Sequence, residues 1–168
     1  MSSRFSQHRY RTRLEWSGST GAGYRHYDRA HRLVAVAEDA APGPATASAL
    51  DLALTADPAF LGTPDRLNPE QLVLAAASSC QLLSFLAEAA LKKVDVRAYT
   101  DDADAVLDAS LARPALTAIA LHTRITVAPG TDHDVVRALV EAGHQGCFIA
   151  NSLAVPVRVT AEVVDDAS

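Results

Sequence analysis

The chain has 168 residues, 49% of them apolar, and a formal net charge of -5. Roughly 100–200 residues build one core, and the acidic balance lacks the basic surplus that nucleic-acid and anionic-membrane binders use. A single-domain, soluble, cytoplasmic protein is expected, with neither nucleic acid nor membrane among its partners.

The first pattern along the chain is alternation. Tyr10, Thr12, Leu14 and Trp16 fall on one face and Arg9, Arg11, Arg13 and Glu15 on the other, which predicts a half-buried strand. SGSTGAG (17–23) reads as a turn, and Tyr24 to Arg29 and Leu33 to Glu38 read as further extended segments of a meander. AAPGPATASA (40–49) reads as a loop before a short strand from Asp51 to Thr55. Asn68-Pro69-Glu70-Gln71 then opens a long helix, with Asn at the N-cap, Pro at the first helical position and Gln placed for a capping box.

From Leu72 to Leu91 apolar or small residues cover almost every face of that helix, so it is expected to be buried all round. One sheet covers only one side of such a helix, and the economical solution is a homodimer that shares it, with no stable monomer. Strands are expected at Val94 to Thr100, Leu116 to Val127 and Val155 to Val164. A second helix, capped by Thr131, carries the second cysteine. Strands segregated from helices, without regular βαβ alternation, point to an α+β fold with antiparallel sheets. The expected parts are an N-terminal meander and loop (1–66), a central helix (67–93), and C-terminal strands with the second cysteine helix (94–168). MSSRFSQHRYRTRLEW does not read as a secretory signal. Glu88, Lys92 and Lys93 interrupt the longest apolar run before the ~18 residues of a membrane span.

Chemistry concentrates on two cysteines, Cys80 and Cys147. In a chain of this kind they point to redox chemistry, metal binding or inert burial before a permanent disulfide. A thiol pair far apart in sequence, with an acid ten residues before the first at Glu70, reads as a nucleophile and its resolving partner. Plain alternatives stand beside it. Free cysteine packs well in cores, Glu70 in a first helical turn favours the helix dipole, and Arg66 alone is a solvated loop residue. Glu141, His144 and Cys147 lie at one-turn intervals, the outline of a metal stripe, although zinc prefers more soft ligands in tighter pairing. His8, His26, His31, His122 and His133 show no ligand spacing, and Asp101-Asp102-Ala103-Asp104 reads as a solvated acidic turn, with weak cation binding conceivable.

Asn68-Pro69-Glu70-Gln71-Leu72 followed by small residues up to Cys80, and later Cys147 with Asn151-Ser152 behind it, resembles the OsmC/Ohr family of organic hydroperoxide reductases. Tyr10 to Trp16-Ser-Gly, Tyr24 to Arg29 and Asp57-Pro-Ala-Phe60 resemble one OsmC-like subgroup of it. The resemblance implies an intertwined homodimer around two central helices and a two-cysteine peroxidase for alkyl or lipid hydroperoxides that needs no metal, haem or other cofactor. A lipoyl-type dithiol or small thiol would be its reductant. Cys80 would become a sulfenic acid that Cys147 converts to a disulfide.

Burial disfavours a thiolate, so a cation near Cys80, held by a carboxylate such as Glu70, is expected. The family arginine has no match directly after Phe60, where Leu61 stands; Arg66 is the nearest substitute, with Arg25 and Arg29 as rivals. Gln81 follows Cys80 where the subgroup often has histidine. Ten helical residues separate Glu70 from Cys80 by ~15 Å along one axis, so Glu70 is expected to serve a partner's Cys80. The alternative reading is a relative without peroxidase activity that binds or hydrolyses an apolar small molecule at the dimer interface.

Overall fold

The computed structural model describes residues 10–20, 23–35 and 51–167. The expected loop at 40–49, the end of the segment predicted to reach Glu38, and His8 lie outside the described residues. The chain forms two compact units, one through Gln71 and one from Leu72. Its elements, with two sheets, make it an α+β protein.

In the first unit β1 (Thr12–Glu15), β2 (His31–Ala35) and β3 (Asp51–Leu54) form an antiparallel sheet in the order β1-β2-β3. Arg13 pairs with Val34 and Leu33 with Leu52. Residues 24–27, expected to be extended, form a turn and bend instead. Trp16 Nε1 donates to the Asp28 carbonyl at 2.8 Å, and Arg29 donates to the Tyr27 and Tyr24 carbonyls at 2.8 and 2.6 Å. Backbone acceptors bound by side chains in this way have left the strand ladder. A 3-10 turn, Pro58–Phe60, follows β3 and ends on Leu61 in the left-handed region, φ 67. Gly62 presses so close to Ala56 that a Cβ would stand 1.7 Å from its carbonyl oxygen.

Helix α1 runs from Pro69 to Leu91. The capping box forms as expected: Asn68 Oδ1 accepts from the Gln71 N–H at 2.8 Å, and Gln71 Oε1 from the Asn68 N–H at 3.0 Å. The helix is not buried all round in one chain. Ala77, Gln81, Phe85 and Ala89 make a buried stripe at four-residue spacing, while Leu83, Leu86 and Leu91 are exposed. By length and composition α1 would also cross a bilayer, because Lys92 and Lys93 fall beyond its last turn and Glu70 and Glu88 are its only charges.

In the second unit β4 (Val96–Asp108), β5 (Ala115–Val127) and β6 (Val157–Asp165) form a sheet in the order β4-β5-β6. β4 and β5 are antiparallel, but β5 and β6 are parallel. The purely antiparallel expectation fails here because α2 (His133–Gln145) and α3 (Phe148–Ser152) form the crossover between β5 and β6 that a parallel pair requires. The acidic run is not a turn. Asp101, Asp102 and Asp104 lie within β4, where Asp101 takes the Ser78 hydroxyl and Asp104 takes His122 Nε2 at 2.8 Å. Asp132, not Thr131, caps α2, accepting from the Asp134 and Val135 amides. Phe85 and Ala89 of α1 pack with Ile125, Val127, Val136, Leu139, Val140 and Val163 in the core.

Candidate active site: two thiols beneath a short helix

Cys80 sits half-buried on α1, and Cys147 is 1% exposed. Cys147 was expected inside a helix. Instead α2 stops at Gln145, and Cys147 takes an extended conformation as the N-cap of α3, its Sγ accepting from the Ala150 N–H at 3.5 Å. An N-cap position suits a side-chain acceptor because the first amides of a helix have no partner within it. The Ile149 N–H, the next of these amides, points at Cys80 Sγ, also at 3.5 Å. The opening turn of α3 therefore offers one donor to each sulfur, so that consecutive amides serve the two thiols.

The two sulfurs are polarised in opposite directions. For Cys80, burial works against the thiolate, but the Ile149 N–H, the Cys147 thiol, the Phe148 N–H and the Ser84 hydroxyl together hold it below the ordinary thiol range. For Cys147, burial pushes the thiol up; the Ala150 N–H opposes this, and the neighbouring Cys80 adds to it. Cys80 ionises first, and Cys147 stays protonated as its donor. This is the asymmetry a nucleophile and a resolving thiol need. The groups lowering Cys80 are hydrogen-bond donors of its own unit, and no guanidinium is among them. The sequence reading missed Ser84, which the four-residue spacing from Cys80 on one helix face could have found; the amides of α3 carry no sequence signature.

The remaining predicted residues lie in the first unit. Glu70 lines a cavity of about 450 Å³ whose walls include Leu14, Trp16, Tyr27 and Phe60, and Arg29 shares that wall. The Arg29 guanidinium stands 4.0 Å from the Tyr27 ring centroid and 4.9 Å from that of Tyr24. Arg66 is not in this cavity. It approaches Asp65 at 3.8 Å and lines a separate groove with Glu15, Arg32 and Asp51. Among the arginines weighed from sequence, Arg29 is the one that lines the same cavity as Glu70, while Arg25 lies in the turn at residues 24–26. Leu61, at the place of the missing arginine, is exposed.

The Glu141, His144 and Cys147 stripe does not assemble as a metal site. Glu141 accepts from Gln145 at 3.1 Å, His144 faces Gln81, and among the described residues no three metal-ligating side chains gather.

Residues 62–162, more than half of the chain, match the family model of OsmC-like proteins. An OsmC-like protein of unknown function from Vibrio cholerae superposes with a TM-score of 0.77 at 22% identity, covering 93% of this chain and 100% of its own. An organic hydroperoxide resistance protein OsmC from Legionella pneumophila gives 0.63 at 22% identity, with 94% and 98% covered. One named for the same resistance, from Elizabethkingia anophelis with thiocyanate bound, gives 0.64 at 18% identity, with 96% and 100% covered. A comparison with curated proteins found no match. The matched segment carries the helix that bears Cys80, the N-cap that bears Cys147 and the sheet beneath them, and on that basis the chain belongs to the OsmC-like family.

Proposed function

We propose that this chain is a thiol-dependent peroxidase that reduces alkyl or lipid hydroperoxides, with Cys80 as the attacking thiolate and Cys147 as the resolving thiol. The observation that carries the reading is that consecutive amides of one helical turn, Ile149 and Ala150, donate to Cys80 Sγ and Cys147 Sγ respectively, an arrangement under which the two thiols are shifted in opposite directions. Attack of the Cys80 thiolate on a peroxide oxygen breaks the O–O bond. It leaves a hydroxyl on sulfur as sulfenic acid, and the alkoxide takes a proton and departs as alcohol. Cys147 then forms the S–S bond as the S–O bond breaks, releasing water. A lipoyl-type dithiol or small thiol returns two electrons and two protons to complete the cycle. The hydroperoxide resistance named for the Legionella and Elizabethkingia proteins supports the substrate class.

In this reading the chain acts as a cytoplasmic homodimer, which would cover the apolar surface that α1 leaves exposed at Leu83, Leu86 and Leu91. Glu70, with Arg66, Arg29 or Arg25 as its cation, serves the Cys80 of the partner chain, since ten helical residues put ~15 Å between the two along one axis. Arg29 is the arginine the cavity favours.

Mass spectrometry after a stoichiometric dose of cumene hydroperoxide tests the reading. A Cys80–Cys147 disulfide is expected, and two unreacted thiols would overturn it. The second result would favour the other reading, an apolar-ligand binder using the cavity walled by Leu14, Trp16, Tyr27 and Phe60.

A further inference from the structure

Gln81, next to Cys80, has no exposed surface. That is costly for a side chain with two donors and an acceptor, and a methionine would fill similar space with nothing polar to satisfy. Its polar atoms are both used on α2. Nε2 donates to the Val140 carbonyl at 3.1 Å, and Oε1 faces His144 Nδ1 at 3.3 Å. A carbonyl only accepts, so the amide nitrogen is fixed toward Val140 and the amide oxygen toward His144, whose Nδ1 must carry a hydrogen. One residue of α1 is thus tied at two points to the last turns of α2.

Those turns lead into the second thiol. The Cys147 N–H donates to the His144 carbonyl at 3.1 Å, which leaves the tie one backbone hydrogen bond from the resolving residue. Nearby, Gly143 brings the two helices into contact: a Cβ there would stand 2.8 Å from the Phe85 nitrogen and 2.9 Å from its Cα. The glycine sets how near the helices come, but it offers no directional group to fix their slide. Two hydrogen bonds from a rigidly held amide do. The slide matters because a disulfide tolerates only Cα separations of about 4.4–6.8 Å and a torsion near a right angle, and misplacing reacting atoms by ~1 Å costs on the order of a hundredfold in rate.

We infer that Gln81 and His144 form a clamp between α1 and α2 that positions Cys147 for bond formation with Cys80, so that both are positioning residues for the resolving step. The inference deepens the thiol-peroxidase reading and rests on it for the identity of that step. There the Cys147 thiol displaces hydroxide from the Cys80 sulfenic acid, S–S forming as S–O breaks, and the thiol proton leaves with the hydroxide as water.

The test compares Gln81→Leu, His144→Phe and His144→Gln, the last of which retains an amide N–H able to reach Gln81 Oε1. After stoichiometric cumene hydroperoxide, sulfenic acid on Cys80 should become trappable by dimedone in the Leu and Phe variants, because resolution slows relative to its formation. Independently of any peroxide, equilibration with glutathione redox buffers measures the effective concentration of one thiol at the other. It should fall at least tenfold in Gln81→Leu and His144→Phe and recover in His144→Gln. A merely structural role would lower the melting temperature of the reduced and oxidised forms alike and leave the effective concentration unchanged, which would overturn the inference. A parent chain that fails to react with peroxide, beside a tenfold fall in the glutathione measurement, would sink the peroxidase and keep the clamp. Should Gln81→Leu not fold, His144→Phe decides in the same way.

Discussion

Burial raises the Cys80 thiol pKa, and four hydrogen-bond donors together outweigh it. A lowered thiol pKa makes thiolate the major form from a lower pH, so iodoacetamide should alkylate Cys80 with a midpoint below that of an unperturbed thiol. Cys147, pushed up by burial and by its neighbour, should show a midpoint above it. Peptide mapping across a pH series checks both, and midpoints in the reverse order would remove the assignment of nucleophile and resolver. Ser84→Ala deletes one donor and should move the Cys80 midpoint upward. The sign for stability follows from the same direction. The folded thiol is the stronger acid, so its contribution is fully present above the unfolded thiol value and is lost as pH falls through the folded one. From sequence, the cap at Asn68 was legible, because it rests on side chains, and the two cysteines stood out as the candidate thiols. The donors that set the polarity of the pair were not legible, because they include the amides of Phe148, Ile149 and Ala150, which any residue supplies.

Among elements, the N-terminus of α1 was readable because the capping box is written in two side chains three positions apart, Asn68 and Gln71, and they sit where the pattern put them. Asn68→Ala removes both the cap and a 3.2 Å bond to Asp57 Oδ2, and should cost about 1 kcal/mol. In a chain of this length that lowers the melting midpoint by roughly 2–4 °C; an unchanged midpoint would show the cap to be idle. The crossover was illegible for the opposite reason. Gly146 and Cys147 interrupt what reads as one helix, and a parallel β6 depends on which edge of the sheet a distant segment reaches, a choice not encoded in local periodicity. The acidic run misled in the same way, since Ser78 and His122, which make its charges tolerable in β4, lie far off in sequence. Gly143→Ala tests the contact between α1 and α2. The atoms a Cβ would meet are backbone, so the helices themselves must part. Overpacking of this kind costs about 1–3 kcal/mol, and it should also slow formation of the Cys80–Cys147 disulfide. Loss of stability with disulfide formation at the parent rate would separate packing from thiol placement.

For the molecule as a whole, the apolar character of α1 is the feature a single chain leaves unexplained. Its buried stripe accounts for one face, while Leu83 and Leu91 remain 64% and 75% exposed. A two-fold homodimer presents the same patch from both chains. Leu83→Glu should then yield monomer or aggregate in analytical ultracentrifugation, and the parent's melting midpoint should rise with protein concentration. Such a dimer would also decide where Glu70 acts. Neither Cys80→Ser nor Glu70→Ala homodimer is expected to turn over at the parent rate. In an equimolar mixture with free subunit exchange, about half the dimers are mixed. If each site takes Cys80 from one chain and Glu70 from the other, a mixed dimer holds one intact site and one doubly altered site, so about a quarter of the parent's peroxidase activity should return. If each site draws both residues from one chain, every site in the mixture lacks one of them and nothing returns. Peroxide consumption before and after exchange, with mixed dimers counted by native mass spectrometry, distinguishes the two arrangements, and absence of recovery in the presence of mixed dimers would exclude the shared site.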